Sequence, residues 1–373
     1  MKICHLTSVH TPFDTRIFYK ECRSLSEAGY EVHLVTRHMR DDVVDGIYLH
    51  AVPGFPGKIK RILNSTRAVY KKALSDEYTL YHFHDPELIP VGLLLKYKGK
   101  KVVYDVHEDY PEYFKYKDSF PPALRGTFAR IIGIIEHFVA GRFDAAVVPT
   151  PTIFERFRIL NPNTALIHNF PSMDEFSPDV VTVPWQSKSD EVVYVGSLSL
   201  DRGIEEMVRA VGLVQERFKV RLLLAGDFVS KSDRDYITAM PEFSFVDYRG
   251  HTSREETVRL LARAKIGIVI CHPHFHYQCA YPTKLFEYML AGIPVITSDF
   301  PLWRSLVESV GCGLTVDPMN TGEIADAIAS ILGNSVEAKK MGIQGREAVE
   351  SNYNWNTEKK TLLDLYEKIL GKG

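Results

Sequence analysis

The sequence predicts an α/β protein built from two doubly wound domains, and three observations carry that prediction. At 373 residues the chain is longer than one hydrophobic core usually serves. Short apolar runs of strand length alternate with stretches of helical spacing in both halves, the pattern of parallel sheets covered by helices on both faces. That alternation breaks once, over Phe170–Ser189, where Pro, Asp and Ser interrupt it like a linker. The expected organisation is a first domain 1–170, a linker 171–190, a second domain 191–352, and a last segment 353–373 that packs back on the first domain.

Element by element, Lys2–Val9 is an apolar strand, and Asp14–Ala28 places Ile17, Phe18, Leu25 and Ala28 at helical spacing before stopping at Gly29. Glu31–Thr36 alternates like a strand and completes one β-α-β unit. Further strands are expected at Tyr78–His84, Lys101–Val106, Asp144–Pro149 and Ala165–Asn169. The second set comprises Glu191–Val195, Val220–Ala225, Phe243–Tyr248, Ile266–Cys271, Pro294–Thr297 and Leu314–Val316, with helices near 203–217, 253–264, 282–291 and 321–332. A final helix is expected over Trp355–Leu370. In such Rossmann-like sheets ligands bind beyond the carboxyl ends of the strands, so an active site is expected where the two domains face each other across a cleft.

Composition narrows the class. A content of 45% hydrophobic and 25% charged residues is ordinary for a soluble globular protein. Residues 1–170 carry 23 Lys and Arg against 19 Asp and Glu, while the remainder has 22 against 28. The mildly basic first half favours an anionic partner but is not basic enough to argue for nucleic acid. No basic start leads into an apolar signal run, and no stretch approaches a membrane span, so a cytoplasmic location is expected. Five cysteines, an odd number without Cys-x-x-Cys pairing, argue against a disulfide framework or a zinc site.

The most informative segment is Tyr277–Asp299. Pro282 suits the first turn of a helix, so the N–H groups of Thr283, Lys284 and Leu285 are expected to point out of the helix start as an anion site. Lys284 adds a cation, and Glu287 on the same face can accept two hydrogen bonds from a vicinal diol. An ordinary amphipathic helix with solvated Lys and Glu is the other reading. In Tyr194–Gly203 a strand passes through Gly196 and Ser197 towards a helix, where Gly196 permits close backbone approach and Arg202 can meet a phosphate. Neither this turn nor Ser8–Asp14 after the first strand carries a dinucleotide-binding glycine fingerprint.

Two polar clusters end strands of the first domain. In Tyr104–Asp109 the candidates are His107 and Glu108; in His82–Glu87 they are His84 and Asp85. These residues suit hydrogen bonding to hydroxyls, or alternatively cap the following helices. Within these two clusters no ligands stand at His-x-x-x-His spacing, so no metal is expected.

Taken together, His107, the Gly196–Gly203 turn, and above all Pro282–Met289 with Ala291–Ile296 resemble the family-4 retaining glycosyltransferases of GT-B fold. The resemblance covers nearly the whole chain. Pro12–Phe18 and Tyr104–Glu108 resemble a bacterial branch that makes surface polysaccharides. It implies that the second domain binds a nucleotide-sugar donor, UDP- or GDP-linked, with no further cofactor, and that the first binds a glycan or lipid-linked acceptor. Glu287 would then hold the ribose, Thr283 to Leu285 the diphosphate, and Lys284 a phosphate or the sugar; Arg202 stands where the family usually has a phosphate-binding lysine. His107 would orient hydroxyls, and His107, Arg202 and Lys284 would form the catalytic set. The sequence departs from the family pattern at Cys279, where a second glutamate is common, at Ser197, where an arginine is frequent, and at Pro12–Arg16, which replaces a glycine pair. Asp14 and Arg16 either take over a role there or form an internal ion pair.

Two other functions share this outline: a nucleotide-sugar epimerase, and a non-catalytic nucleotide-sugar-binding assembly partner. A membrane contact is a further hypothesis for residues 57–74, where six Lys and Arg accompany an apolar stripe from Ile59 to Leu74, though packing of that stripe on the first sheet is slightly favoured.

Overall fold

A computed structural model describes residues 1–55, 58–116, 121–176 and 183–371. The chain divides into two compact units, one made of residues 1–169 with 356–373 and the other of residues 170–355.

Unit 1 is a sheet of eight described strands: β1 (Lys2–Leu6), β2 (Glu31–Arg37), β3 (Asp42–Val44), β4 (Ile47–Val52), β5 (Leu80–Phe83), β6 (Lys101–Asp105), β7 (Ala145–Val148) and β8 (Thr164–Leu166). Their order is β3-β4-β2-β1-β5-β6-β7-β8, and every pair is parallel except β3 with β4. Every residue of β5 and β7 is buried, as expected when helices cover both faces. Leu6 pairs with Phe83 and Phe83 with Tyr104, so the carboxyl ends of β1, β5 and β6 lie side by side. The polar residues that follow these strands are thereby collected at one edge.

Unit 2 is a six-stranded parallel sheet among the described residues, formed by β9 (Ser189–Val195), β10 (Arg221–Ala225), β11 (Val246–Gly250), β12 (Ala264–Val269), β13 (Val295–Ser298) and β14 (Gly313–Val316). The order β11-β10-β9-β12-β13-β14 reverses direction at β9, and the two apolar layers on its faces form the core. Both units are thus doubly wound, Rossmann-like domains.

Four local features differ from the expectation. The helix after β1 opens with a wide π-helical turn, Ile17–Cys22, in which Glu21 N–H reaches back to the Arg16 carbonyl at 2.9 Å. Such turns re-aim side chains, and here both Arg16 and Glu21 are buried. The hairpin β3–β4 turns at Asp45-Gly46, both at positive φ, an Asp-Gly signal present in the sequence. The strand expected at Phe243–Tyr248 instead runs from Val246, because Pro241–Phe245 forms a 3₁₀ turn with proline at its start. A helix over Ser335–Ser351 was also not expected; the side chain of Asn334 caps it by accepting from Glu337 N–H at 3.2 Å.

The basic segment at 57–74 forms a helix over Lys58–Ala73. Val69 and Ala73 are buried, whereas Ile62, Leu63 and Leu74 are exposed. Gly57 and the side chains at 58–61 lie outside the described residues.

Candidate functional site

Side chains alternate along a strand, so His5 in β1 and His82 in β5, which are paired in register, share one face of the sheet with His84 just beyond. Asp105 at the end of β6 is fully buried beside them. Arg16 grips Asp105 in a fork, with Nε and Nη2 each 3.1 Å from a different carboxylate oxygen, and donates from Nη1 to the Ile167 carbonyl. Glu21 also lies 3.0 Å from Arg16 Nε, but neither of its oxygens has a hydrogen-bond partner. Burial and the Asp105 charge push Glu21 well above the usual carboxylate range. Burial acts on Asp105 in the same sense, yet Arg16 and His107 hold it well below that range. The two carboxyls are thus pushed in opposite directions, Asp105 towards the ionised form and Glu21 towards the neutral one.

An ionised Asp105 fixes the protons of a hydrogen-bonded chain. His84 Nδ1–H and His107 Nε2–H both donate to Asp105 Oδ2, each at 3.1 Å. His84 Nε2 is then an acceptor for His5 Nδ1–H at 2.9 Å. His5 Nε2 in turn accepts from the Tyr366 hydroxyl at 3.3 Å, whose oxygen accepts from His82 Nδ1–H at 2.7 Å. Burial lowers the pKa of His5, His82 and His84, which keeps the three imidazoles neutral. In the neutral tautomer that donates from Nε2, Nδ1 is the lone-pair atom, and the His107 side chain retains 13% exposure.

A second layer surrounds His107. Asp85 accepts from Thr7 Oγ1 at 2.8 Å and from Ser8 N–H at 2.6 Å. Asp14 accepts from the amides of Arg16 and Ile17 and bonds His10 Nδ1 at 2.9 Å. Burial disfavours charge on both Asp14 and His10, but their mutual hydrogen bond wins, lowering the first pKa and raising the second. The rings of His10 and His107 lie 4.9 Å apart. The structure thus gathers Asp14, Arg16, His84, Asp85 and His107 in unit 1, whereas Glu108 is exposed. The Arg16 guanidinium pairs with Asp105 rather than with Asp14, which meets only the Arg16 backbone amide, so the expected Asp14–Arg16 ion pair is corrected.

Two sets of side chains in unit 1 have donor atoms close enough to share a cation: His5, Glu21, His82 and His84, and His84, Asp105 and His107. In the first set the His5 and His84 nitrogens face each other as hydrogen-bond partners.

In unit 2 the loops after β9 and β10 meet back to back. Gly196 has φ 131° and Gly226 φ 142°, and a Cβ at Gly226 would stand 1.9 Å from the Gly196 carbonyl oxygen. A Cβ at Gly196 would stand 2.8 Å from Lys284 Nζ, so the missing side chain is what lets the ammonium reach this backbone. Lys284 Nζ lies 3.9 Å from the centre of the Tyr194 ring, and Tyr194 donates its hydroxyl proton to the Ser197 carbonyl at 3.0 Å. Arg202 lies against Tyr277, 5.8 Å from the ring centre, and the Tyr277 hydroxyl donates to Asp201 at 2.6 Å. Burial first, and the Arg202 charge second, push the Lys284 ammonium down to about 7.

Helix Thr283–Leu290 starts one residue later than expected, with Pro282 as its N-cap. Leu285 N–H is hydrogen-bonded to the Pro282 carbonyl at 3.0 Å, which corrects the expectation that three amides project from this end. Thr283 and Lys284 occupy the positions whose amides have no partner within a helix. Glu287 is partly buried and paired with Arg254 Nη1 at 2.7 Å. Sequence reasoning missed Arg254, Tyr194, Gly226 and Tyr277 here, and His5, His10, Glu21, His82 and Tyr366 in unit 1. A signal for His82 existed, since His-x-His in a strand places both rings on one face.

A family model described as "Glycosyltransferase Family 4" matches residues 15–171, and one described as "Glycosyl transferases group 1" matches residues 189–334. The phosphatidyl-myo-inositol mannosyltransferase of Mycobacterium leprae is 24% identical over 218 residues, 57% of this chain and 56% of that protein. The spore coat protein SA of Bacillus subtilis is 32% identical over 186 residues, 48% of each chain. The chain therefore spans about half the length of the curated relatives it matches. Among solved structures, sucrose-phosphate synthase from Thermosynechococcus elongatus superposes over 100% of both chains with TM-score 0.78 and 20% identity. Anabaena HepE in complex with UDP-glucose covers 99% of this chain and 100% of its own, with TM-score 0.73 and 16% identity.

Proposed function

Because the chain belongs to the family-4 glycosyltransferases of GT-B fold, we propose that it transfers a sugar, with retention, from a UDP- or GDP-linked donor to a glycan or lipid-linked acceptor in cell-surface polysaccharide synthesis. The observation that carries the reading is the pair of cations in unit 2. Lys284 stands against the Gly196 backbone at a helix start and Arg202 lies close by, and each raises the cost of charge on the other. A diphosphate answers both. Cleavage of the sugar–phosphate bond builds positive charge at the anomeric carbon and negative charge on the departing diphosphate. Lys284, Arg202 and the amides of Thr283 and Lys284 stabilise that anion, so the step proceeds without a metal.

On this reading Glu287 accepts from the ribose hydroxyls, displacing Arg254, and the glycine turn at 196 accommodates the phosphates. Retention follows when the acceptor hydroxyl enters on the face the diphosphate leaves, with a diphosphate oxygen taking its proton. Unit 1 takes the acceptor, and His107 Nδ1 accepts from a sugar hydroxyl, its ring held by Asp105. Support for a UDP-linked donor comes from HepE, solved with UDP-glucose, and for a lipid-borne acceptor from the relative named as a phosphatidyl-myo-inositol mannosyltransferase.

The test is calorimetric titration with UDP, GDP, ADP and dTDP, with and without EDTA. One nucleotide binding in the micromolar range and surviving EDTA is the expected result. Absence of binding by any of them to folded protein would remove the donor site and the activity with it.

A further inference from the structure

The interior of unit 1 holds more metal-ligating atoms than its hydrogen bonds use. His5, Glu21, His82 and His84 are all fully buried, and one donor atom from each lies within 4.8 Å of the others. They come from three places in the chain: β1, the wide turn Ile17–Cys22, and the end of β5 with the residue just beyond it. Three buried atoms here have no hydrogen-bond partner, His82 Nε2 and both oxygens of Glu21, although Glu21 Oε1 meets the Arg16 charge at 3.0 Å. Polar atoms left buried and unpaired are costly, so their collection in one place calls for an occupant.

The other nitrogen of each ring is already held as a ligand shell requires. His84 Nδ1 faces Asp105 at 3.1 Å, while His82 Nδ1 and His5 Nε2 face the Tyr366 hydroxyl at 2.7 and 3.3 Å. Such outer contacts fix the ring and decide which nitrogen is offered to a metal. The atoms offered are then His82 Nε2, His84 Nε2 and His5 Nδ1, of which the last two stand 2.9 Å apart. Around a tetrahedral ion with bonds of about 2.0 Å, neighbouring donors stand about 3.3 Å apart, so these two nitrogens need part by only a few tenths of an ångström. The His5 proton would move from Nδ1 to Nε2, leaving the Tyr366 oxygen to accept from both rings. Three imidazoles with one carboxylate suit zinc, and a shell closed by four protein ligands is that of a structural ion rather than a catalytic one. The second set of donors, His84, Asp105 and His107, competes for His84, and the Arg16 fork already meets its Asp105 charge.

We propose that His5, Glu21, His82 and His84 bind one zinc ion inside unit 1, a structural site that fastens β1, β5 and the turn Ile17–Cys22 together and stands apart from the transferase reading. The test is the metal content of the untagged full chain, isolated from cells grown with added zinc and dialysed against EDTA. About one zinc ion per chain is expected to survive the chelator, because no ligand of a closed shell is exposed to it. Glu21→Gln keeps the side-chain shape but removes the anionic ligand, and should lose the metal. The rival source of bound zinc is the exposed pair His274 and His276 in unit 2, so His274→Ala with His276→Ala should keep it. X-ray absorption at the zinc edge of the wild type reads the shell without any substitution, and should show imidazole nitrogens and an oxygen at about 2.0–2.1 Å with no sulfur. The proposal is overturned if the wild type carries no zinc after dialysis, if Glu21→Gln retains it, or if the histidine pair in unit 2 proves to be what holds it. A shell of water or of cysteine sulfur would overturn it equally, even were Glu21→Gln to fail to fold.

Discussion

The two units treat buried charge in opposite ways. In unit 1 the fork of Arg16 on Asp105 and the file of His84, His5 and Tyr366 answer one another, so the Asp105 charge is met from within the protein, although both oxygens of Glu21 stay without a hydrogen-bond partner. In unit 2, among the described residues, Lys284 and Arg202 have no carboxylate within ion-pair reach and lie against the rings of Tyr194 and Tyr277. A closed network can hold a side chain such as His107 in one orientation and one tautomer. An unanswered pair of cations leaves binding energy for an anion that arrives from outside. On the proposed reading, preorganisation and affinity are divided between different parts of the chain.

The largest effect is expected from breaking the closed network. Asp105→Asn leaves Arg16 buried without its partner and should cost about 3–5 kcal/mol of stability, read by denaturant unfolding. Because the folded pKa of Asp105 is depressed, its contribution holds above the ordinary carboxylate range and fades as pH falls through the folded value. A variant as stable as wild type would mean that the fork is ornamental.

Next in size is Lys284→Met, expected to lower turnover by about 10²–10³, as loss of one oriented charge stabiliser typically does. Its thermal midpoint should stay level or rise, since burial disfavours the charged ammonium. The opposite pattern, a stability loss with activity kept, would make unit 2 resemble unit 1. A smaller change is expected for Glu287→Ala, about 1–3 kcal/mol in nucleotide affinity if a buried diol loses its acceptor, measured by titration.

The smallest effect sharpens the contrast through pH. Lys284 is held at about 7 against an ordinary 10.5, so an arriving diphosphate should draw a proton onto it. Nucleotide affinity should then fall as pH rises above about 7, by at most about tenfold per unit. Titrations in buffers of different ionisation heat would show proton uptake. Lys284→Arg, charged throughout this range, should bind without that pH dependence.

Both sheets were legible in the sequence because buried parallel strands are written as short apolar runs, and the Pro282–Ile296 stretch stood out through its helix start and following strand. The unit 2 cations were foreseen one by one. What could not be read was company: Tyr194 under Lys284 and Arg254 on Glu287 are contacts between residues far apart in sequence, and periodicity carries no information about them. Leu285 shows a finer limit, because a one-residue shift of a helix start decides whether its amide is available. In unit 1 the pairing register decides that His5 and His82 share a face, and register is a property of two strands rather than of either alone.

Tyr366 belongs to the segment that unit 1 receives only after the whole of unit 2 has been synthesised. Until it arrives, His5 and His82 lack their hydroxyl partner and the amide of His168 lacks the Glu358 carboxylate. On the ribosome, then, the domain made first is the domain finished last. Unit 2 is continuous in sequence and can close while its predecessor still waits for a polar plug. A release or stalling event between residues 355 and 366 would yield a chain whose unit 2 is complete and whose histidine-bearing unit 1 is open to water. That places the burden of quality control on a single late helix.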